Sequence, residues 1–219
     1  MIDLVANTLL QNIQALPFID RYGGVVRPVA HRVETDEGVF VTKYYPIGNI
    51  KNGEFCGESG QTNIVEPNDQ FKSVSYIEQV GGSTVQIDPA LYNAKQKFWR
   101  FTERFRFVCW LRFSQFTSDA EGTTPYISTT RFEAEVMNAL TGDYTIEAAD
   151  NEGISGEMSV SPIRVIESNP RDVFGKYDYQ EKEWAFVHPY GFFAVEFETE
   201  IIVPSGCIAA METGIPVNC

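Results

Sequence analysis

Histidine and cysteine are scarce: two of the former and four of the latter in 219 residues, and that scarcity removes whole classes of chemistry. Cys56, Cys109, Cys207 and Cys219 never fall in Cys-x-x-Cys spacing, so a zinc site of ordinary type would need ligands gathered from distant segments. Free thiols in a reducing compartment are the plain reading, with a Cys207–Cys219 bridge closing a C-terminal loop as the alternative. His31 falls inside a strand-like run and His188 precedes Pro189. Neither has a nucleophile elbow or a Cys–His signature beside it, so both read as structural or surface residues. A phosphate loop and a dinucleotide fingerprint are also missing. No catalytic, cofactor-binding or metal-binding residue is assigned, and a protein that is not an enzyme is expected.

Positive charge is in deficit too, with 17 Lys and Arg against 30 Asp and Glu, for a formal net charge of −13. A non-specific grip on nucleic acid needs clustered cations to neutralise phosphates, and this balance argues against one. No apolar run approaches the ~20 residues of a membrane span, and the opening MIDLVANTLLQ carries Asp3 without a basic region. A soluble, unexported chain without membrane contact is expected. The spaced acids Glu133/Glu135, Asp150/Glu152 and Glu196/Glu198 read as solvated or salt-bridged faces rather than glycosidase carboxylates. Asp150-Asn151-Glu152-Gly153 lacks the closing ligand of a calcium loop and reads as a turn.

What the chain does have is aromatic and strand-like sequence, with 43% hydrophobic and 13% aromatic residues. The stretch FWRFTERFRFVCWLRF, residues 98–113, alternates with period two. Trp99, Phe101, Glu103, Phe105, Phe107, Cys109, Leu111 and Phe113 share one largely apolar face, and Arg100, Arg104, Arg106 and Arg112 the other. At ~3.3 Å per residue such a strand could extend ~50 Å, so a bend or bulge inside it is expected. Residues 192–203 mirror it: Phe193, Val195, Phe197, Ile201 and Val203 on one face, Glu196, Glu198 and Glu200 on the other. Arginines interleaved with aromatics could stack on bases or grip phosphates. Because the glutamate strand offers an internal partner and the net charge has the wrong sign, the favoured expectation is an adjacent, antiparallel pair. Its cross-strand ion pairs would be worth ~0.2–1 kcal/mol each.

Around this pair the spacing predicts a helix over 3–16, stopped by Pro17, and a second over 131–140 with Thr130–Glu133 as capping box and Gly142 as stop. Val25–Val33 and Val39–Tyr45 flank a turn at 35–38 as a hairpin, with Pro28 marking an edge or bulge. Residues 71–79 and 83–87 read as a second hairpin turned by Gly81-Gly82, and 144–148 and 158–166 as further strands. The fold class expected is α+β: an antiparallel or mixed sheet with a long central strand pair and two main helices packed on one face. The whole, 1–219, is expected as one domain with long loops at 47–70 and 117–127 and an extended C-terminal tail.

The opening IDLVANTLLQNIQALPFIDRYGGVVRPV resembles the start of tail-completion proteins of tailed bacteriophages, and the closing HPYGFFAVEFETEI is similar to the ends of phage structural proteins. The resemblance covers about the first 30 and last 30 residues. It implies a tail-terminator or neck-ring protein of the virion, assembled in the host cytoplasm. Its partners would be copies of itself in a homo-oligomeric ring, a hexamer favoured, and neighbouring tail-tube and connector proteins. DNA would pass through without being specifically bound, and no cofactor is implied. The hairpin near 36–38 and the loop at 47–70 are the expected ring contacts. A β-rich ligand- or carbohydrate-binding module, with a cleft built from Trp99, Trp110 or Trp184, is the alternative from the residues alone.

Overall fold

A computed structural model describes residues 2–35, 38–48, 65–87, 98–116, 128–147, 155–166, 170–174, 176–177 and 184–204. The loops expected at 47–70 and 117–127 fall largely or wholly outside the described residues, as do the C-terminal tail and the Cys207–Cys219 pair. Among the described residues the fold is mixed α/β, an open mixed sheet of eight strands with three α-helices.

The first helix, α1 (Ile2–Gln14), places Val5, Leu9 and Ile13 on one stripe, and all three are fully buried. It ends two residues before the expected Leu16, where a tighter turn joins the Leu16 N–H to the Ile13 carbonyl at 3.1 Å ahead of Pro17 and the buried Phe18. The chain then enters β1 (Arg21–Glu34) and returns as β2 (Phe40–Gly48), the antiparallel hairpin expected from the turn at 35–38. Gly38 takes a φ of 77°, a conformation costly for other residues, and its N–H reaches the Thr35 carbonyl at 2.8 Å.

β3 (Ser73–Gln79) and β4 (Thr84–Ile87) differ from expectation. Both run antiparallel to β5 (Phe98–Arg112), β3 against Phe105–Leu111 and β4 against Trp99–Thr102, so they follow one another along a single edge instead of forming a hairpin. Gly81, at φ 92°, accommodates an interruption, while the Val80 N–H still reaches the Arg104 carbonyl at 2.8 Å. The irregularity anticipated inside β5 therefore lies in the strand beside it. On its other side β5 pairs without a shift from Phe98↔Pro204 to Arg112↔Tyr190 of β8 (Tyr190–Pro204).

The second helix, α2 (Thr130–Leu140), starts one residue early. No capping box forms at Thr130; the Ser128 hydroxyl accepts the Thr130 N–H at 3.2 Å. β6 (Gly142–Glu147) and β7 (Ser155–Ile166) make a hairpin that adds to β8, completing the order β2-β1-β3-β5-β8-β7-β6 with β4 alongside β5. Among the described residues only β1 and β3 are parallel neighbours.

The odd-numbered residues of β5 and β8, among them Phe105, Phe107, Phe193 and Phe197, share one core with Val5, Leu9 and Ile13 of α1 and Phe132, Val136 and Leu140 of α2. Each fully buried Phe contributes ~1.5–3 kcal/mol by area. The two-helix expectation omitted α3 (Pro170–Phe174), which lies on the other face. There Val173, Phe174, Tyr177 and Ala185 cover Val108, Trp110 and Ala194, and the Trp110 indole N–H donates to the Ala185 carbonyl at 2.7 Å. That face is thus apolar at one end of the strands and charged at the other.

Candidate functional site

The charged end is built by register. Glu78 of β3 stands opposite Arg106 of β5, Arg106 opposite Glu196 of β8, and Glu196 opposite Arg164 of β7, so one transverse row crosses four neighbouring strands with alternating sign. Arg106 Nη2 lies 2.6 Å from Glu196 Oε1, and Arg164 Nε lies 2.6 Å from Glu196 Oε2. Arg106 Nη1 also reaches Glu78 Oε1 at 3.5 Å and donates to the Asp172 carbonyl at 2.9 Å, which ties α3 to the row. Glu78 accepts further from the Tyr177 hydroxyl at 2.8 Å, with Lys176 Nζ at 3.7 Å.

The row is graded in burial. The side chains of Glu78, Arg106 and Glu196 are 3%, 12% and 11% exposed, whereas that of Arg164 is 62% exposed. Pairs at the inner end act in a low effective dielectric, where losing one partner strands the other. The Glu196 carboxyl is held below its ordinary range, first by the Arg164 hydrogen bond and then by Arg106, in opposition to its own burial. Arg164 is correspondingly pushed up by the same contact.

Two further pairs lie beside the row. Arg104 Nε meets Glu198 at 3.2 Å directly across the strands, and Arg100 Nη1 meets Glu200 at 2.7 Å on a diagonal, since Arg100 stands opposite Ile202. Arg112, assigned to the same face from its even position, is not brought to any of the glutamates. It lies beyond the glutamates, opposite Tyr190, and donates instead to the Asp69 carbonyl and to Ser114 Oγ at 3.2 Å. Arg164 and Glu78 were not assigned from sequence; Glu78 keeps the alternation of its strand, whereas Arg164 reaches this face only through a shift of register in β7.

Above the row lies a trough of about 600 Å³ between the Val80–Thr84 connection and β7, lined by Arg104, Arg106, Ile163, Arg164, Glu196 and Glu198 among others. β7 carries a bulge here: Pro162 faces Phe197 and Arg164 faces Glu196, leaving Ile163 as the extra residue, 47% exposed. The arrangement can hold opposite charges in fixed register. It offers no nucleophile–base pair, and among the described residues no group of three or more His, Cys, Asp or Glu could hold a metal ion.

The remaining candidates are dispersed. His188 is exposed beside Pro189, and Cys109 is fully buried, with burial pushing its thiol far above the usual range. Trp99 and Trp110 point to opposite faces of β5, and Trp110 is buried with the exposed Trp184 ring packed edge-on against it at 6.2 Å. No helix among the described residues is long and apolar enough to cross a membrane.

At the far side of the sheet, β1 loses its β3 partner after Val26 and continues to Glu34 paired, among the described residues, only with β2. The two-stranded ribbon, or arm, beyond Val26 is ~25 Å long at ~3.3 Å per residue. Val39, Phe40 and Tyr44 on it are 55%, 52% and 46% exposed, and the Arg32 guanidinium lies 4.5 Å over the Phe40 ring. Pro28 sits inside the arm, where its missing N–H costs no bond to β3. No protein-family model matches the chain, and no curated protein matches it.

Proposed function

We propose that the chain is a non-enzymatic structural subunit of a tailed-phage virion, forming a homo-oligomeric ring, a hexamer favoured, at the head–tail junction or the top of the tail tube. The observation that carries this reading is the β1–β2 arm. A two-stranded ribbon with exposed Phe40, Val41 and Tyr44 is a poor solution for a lone molecule and a good one for a subunit that lays it against a neighbour. The sheet behind it supports such a load: a bulge-free β5–β8 couple at its centre, cross-tied by Arg106 and Glu196, is a stiff frame.

In this reading the net charge of −13 has a mechanical use. An acidic wall facing the bore repels DNA phosphates and lets the genome slide without sticking, while neighbouring tail-tube and connector proteins stack above and below. Immunogold labelling of the particles that carry the chain tests the placement. Label at the head–tail junction is the expected result, and label confined to fibres or capsid faces, or missing from the particle, contradicts it.

A further inference from the structure

We propose that the charged face of the sheet pairs with the same face of a second copy about a two-fold axis. Two troughs of opposite charge lie side by side on that face. The one over the row is lined by the guanidiniums of Arg104, Arg106 and Arg164 against the carboxylates of Glu196 and Glu198. The other, of about 440 Å³, is lined by Asp143 of β6, Glu157 of β7 and Glu200 of β8, of which Glu200 is tied to Arg100 at 2.7 Å. Register fixes their common side: Asp143 stands opposite Ser159, Ser159 opposite Glu200, and Glu157 opposite Ile202, in phase with Glu196 and Glu198. The rows of Glu196 and Glu198 and those of Glu200 and Ile202 are centred about 13 Å apart along β8.

Each trough keeps charge that internal pairing does not use. Arg104 and Arg164 each engage a glutamate through Nε, at 3.2 Å and 2.6 Å. Among the described residues their terminal nitrogens have no acceptor, and the side chains are 65% and 62% exposed. Asp172 lends Arg164 a favourable field but no bond. Asp143 and Glu157 are exposed and, among the described residues, make no side-chain hydrogen bond or ion pair. Each trough also carries one isoleucine, Ile163 at the β7 bulge in the first and Ile202 in the second.

Because both troughs lie on one face, a second copy that sets its cationic trough over the acidic one brings its own acidic trough over the cationic one. The contact is isologous: Arg104 and Arg164 of each copy meet Asp143 and Glu157 of the other, with Ile163 against Ile202. Guanidinium forks suit such carboxylates, and matched charges set register and partner choice more than raw affinity. The helix α3 covers the apolar end of this face, beyond Arg106 and away from the acidic trough, so it falls outside the contact in both copies. The mutual repulsion of two chains at −13 is screened beyond ~8 Å at physiological salt, whereas the matched pairs act at contact. This contact goes beyond the ring reading, since it joins two subunits or two rings whatever the arm does.

Charge reversal with rescue tests it on the full chain by sedimentation velocity over a concentration series. The wild type should assemble with an even number of copies. Asp143→Lys/Glu157→Lys and Arg104→Glu/Arg164→Glu should each halve the assembled mass and weaken this association about tenfold or more. An equimolar mixture should recover the wild-type mass, because the mixed pair faces unlike charges at both contacts. Thermal melting checks each fold; should the loss of Arg164 from Glu196 lower the melting temperature, Asp143→Lys/Glu157→Lys decides alone, since it breaks no ion pair among the described residues. An odd number of copies in the wild type, wild-type mass in either variant, or no recovery on mixing two normally melting variants overturns the two-fold contact and leaves the ring reading standing. A wild-type chain that stays monomeric throughout the series overturns both.

Discussion

Arg106 and Glu196 face each other at the centre of the β5–β8 ladder, their side chains 2.6 Å apart and 12% and 11% exposed. Their position makes them the middle of a row whose outer members, Glu78 and Arg164, each touch only one of the two. Removing Arg106 therefore leaves two buried carboxylates to the outer cations Arg164 and Lys176, whereas removing one of the flanking pairs exposes a group that water can solvate.

This grading predicts unequal mutational costs. Arg106→Leu should destabilise the fold by ~3–5 kcal/mol, because Glu78 and Glu196 lose their shared cation. Arg104→Ala, at a largely exposed pair, should cost no more than ~1 kcal/mol. Urea unfolding of the two variants against wild type measures the difference, and equal costs would refute the grading.

Acid should weaken the fold through Glu196. The folded protein holds this carboxyl below its ordinary value of 4.5, so its stabilising contribution is complete above about that pH and is lost as pH falls through the lower folded value. Glu196→Gln should be less stable at neutral pH and show a shallower fall as the pH drops below 4.5, where the wild-type carboxylate is progressively protonated. Urea midpoints at a series of pH values give the two slopes.

Gly191, in β8, lies directly under Phe113: a Cβ placed there would run into the Phe113 ring, which is buried and held in the main core. Gly191→Ala should therefore destabilise by ~1–3 kcal/mol through overpacking. Gly82→Ala meets nothing within 4 Å and should be close to neutral. Thermal melts of the pair provide the check.

Cys109 should be silent toward thiol reagents in the folded protein. It is fully buried on the helix-packed face of β5 and its thiol is pushed far above the usual range, so little thiolate forms at neutral pH. In a variant with Cys56, Cys207 and Cys219 changed to Ser, a chromogenic disulfide reagent should react only at the rate of unfolding. Rapid reaction without denaturant contradicts the packing described.

The central couple was legible because two physical regularities coincided. Period-two alternation put Arg104 and Arg106 on one face of β5, and the same period put Glu196 and Glu198 on one face of β8, so pairing brought opposite charges together. Arg112 followed the same rule and still went elsewhere, because register along the strand, and not face alone, decides which residues meet; its neighbour across the ladder is Tyr190. Gly81-Gly82 misled for a related reason. A glycine pair permits a turn or an interruption equally, and the choice was made by pairing to β5, which continues past the break through Val80 and Thr84. The role of Arg164 depends on a bulge at Ile163 that no local pattern announces. The arm, likewise, arises from where β3 stops pairing with β1, a long-range event absent from either strand's own sequence.

Native mass of the full chain, measured across a concentration series at physiological salt, tests the assembly account most directly. The account predicts a single closed species at a small fixed multiple of 24.7 kDa, six favoured, that persists on dilution. A chain that remains at 24.7 kDa at every concentration contradicts it.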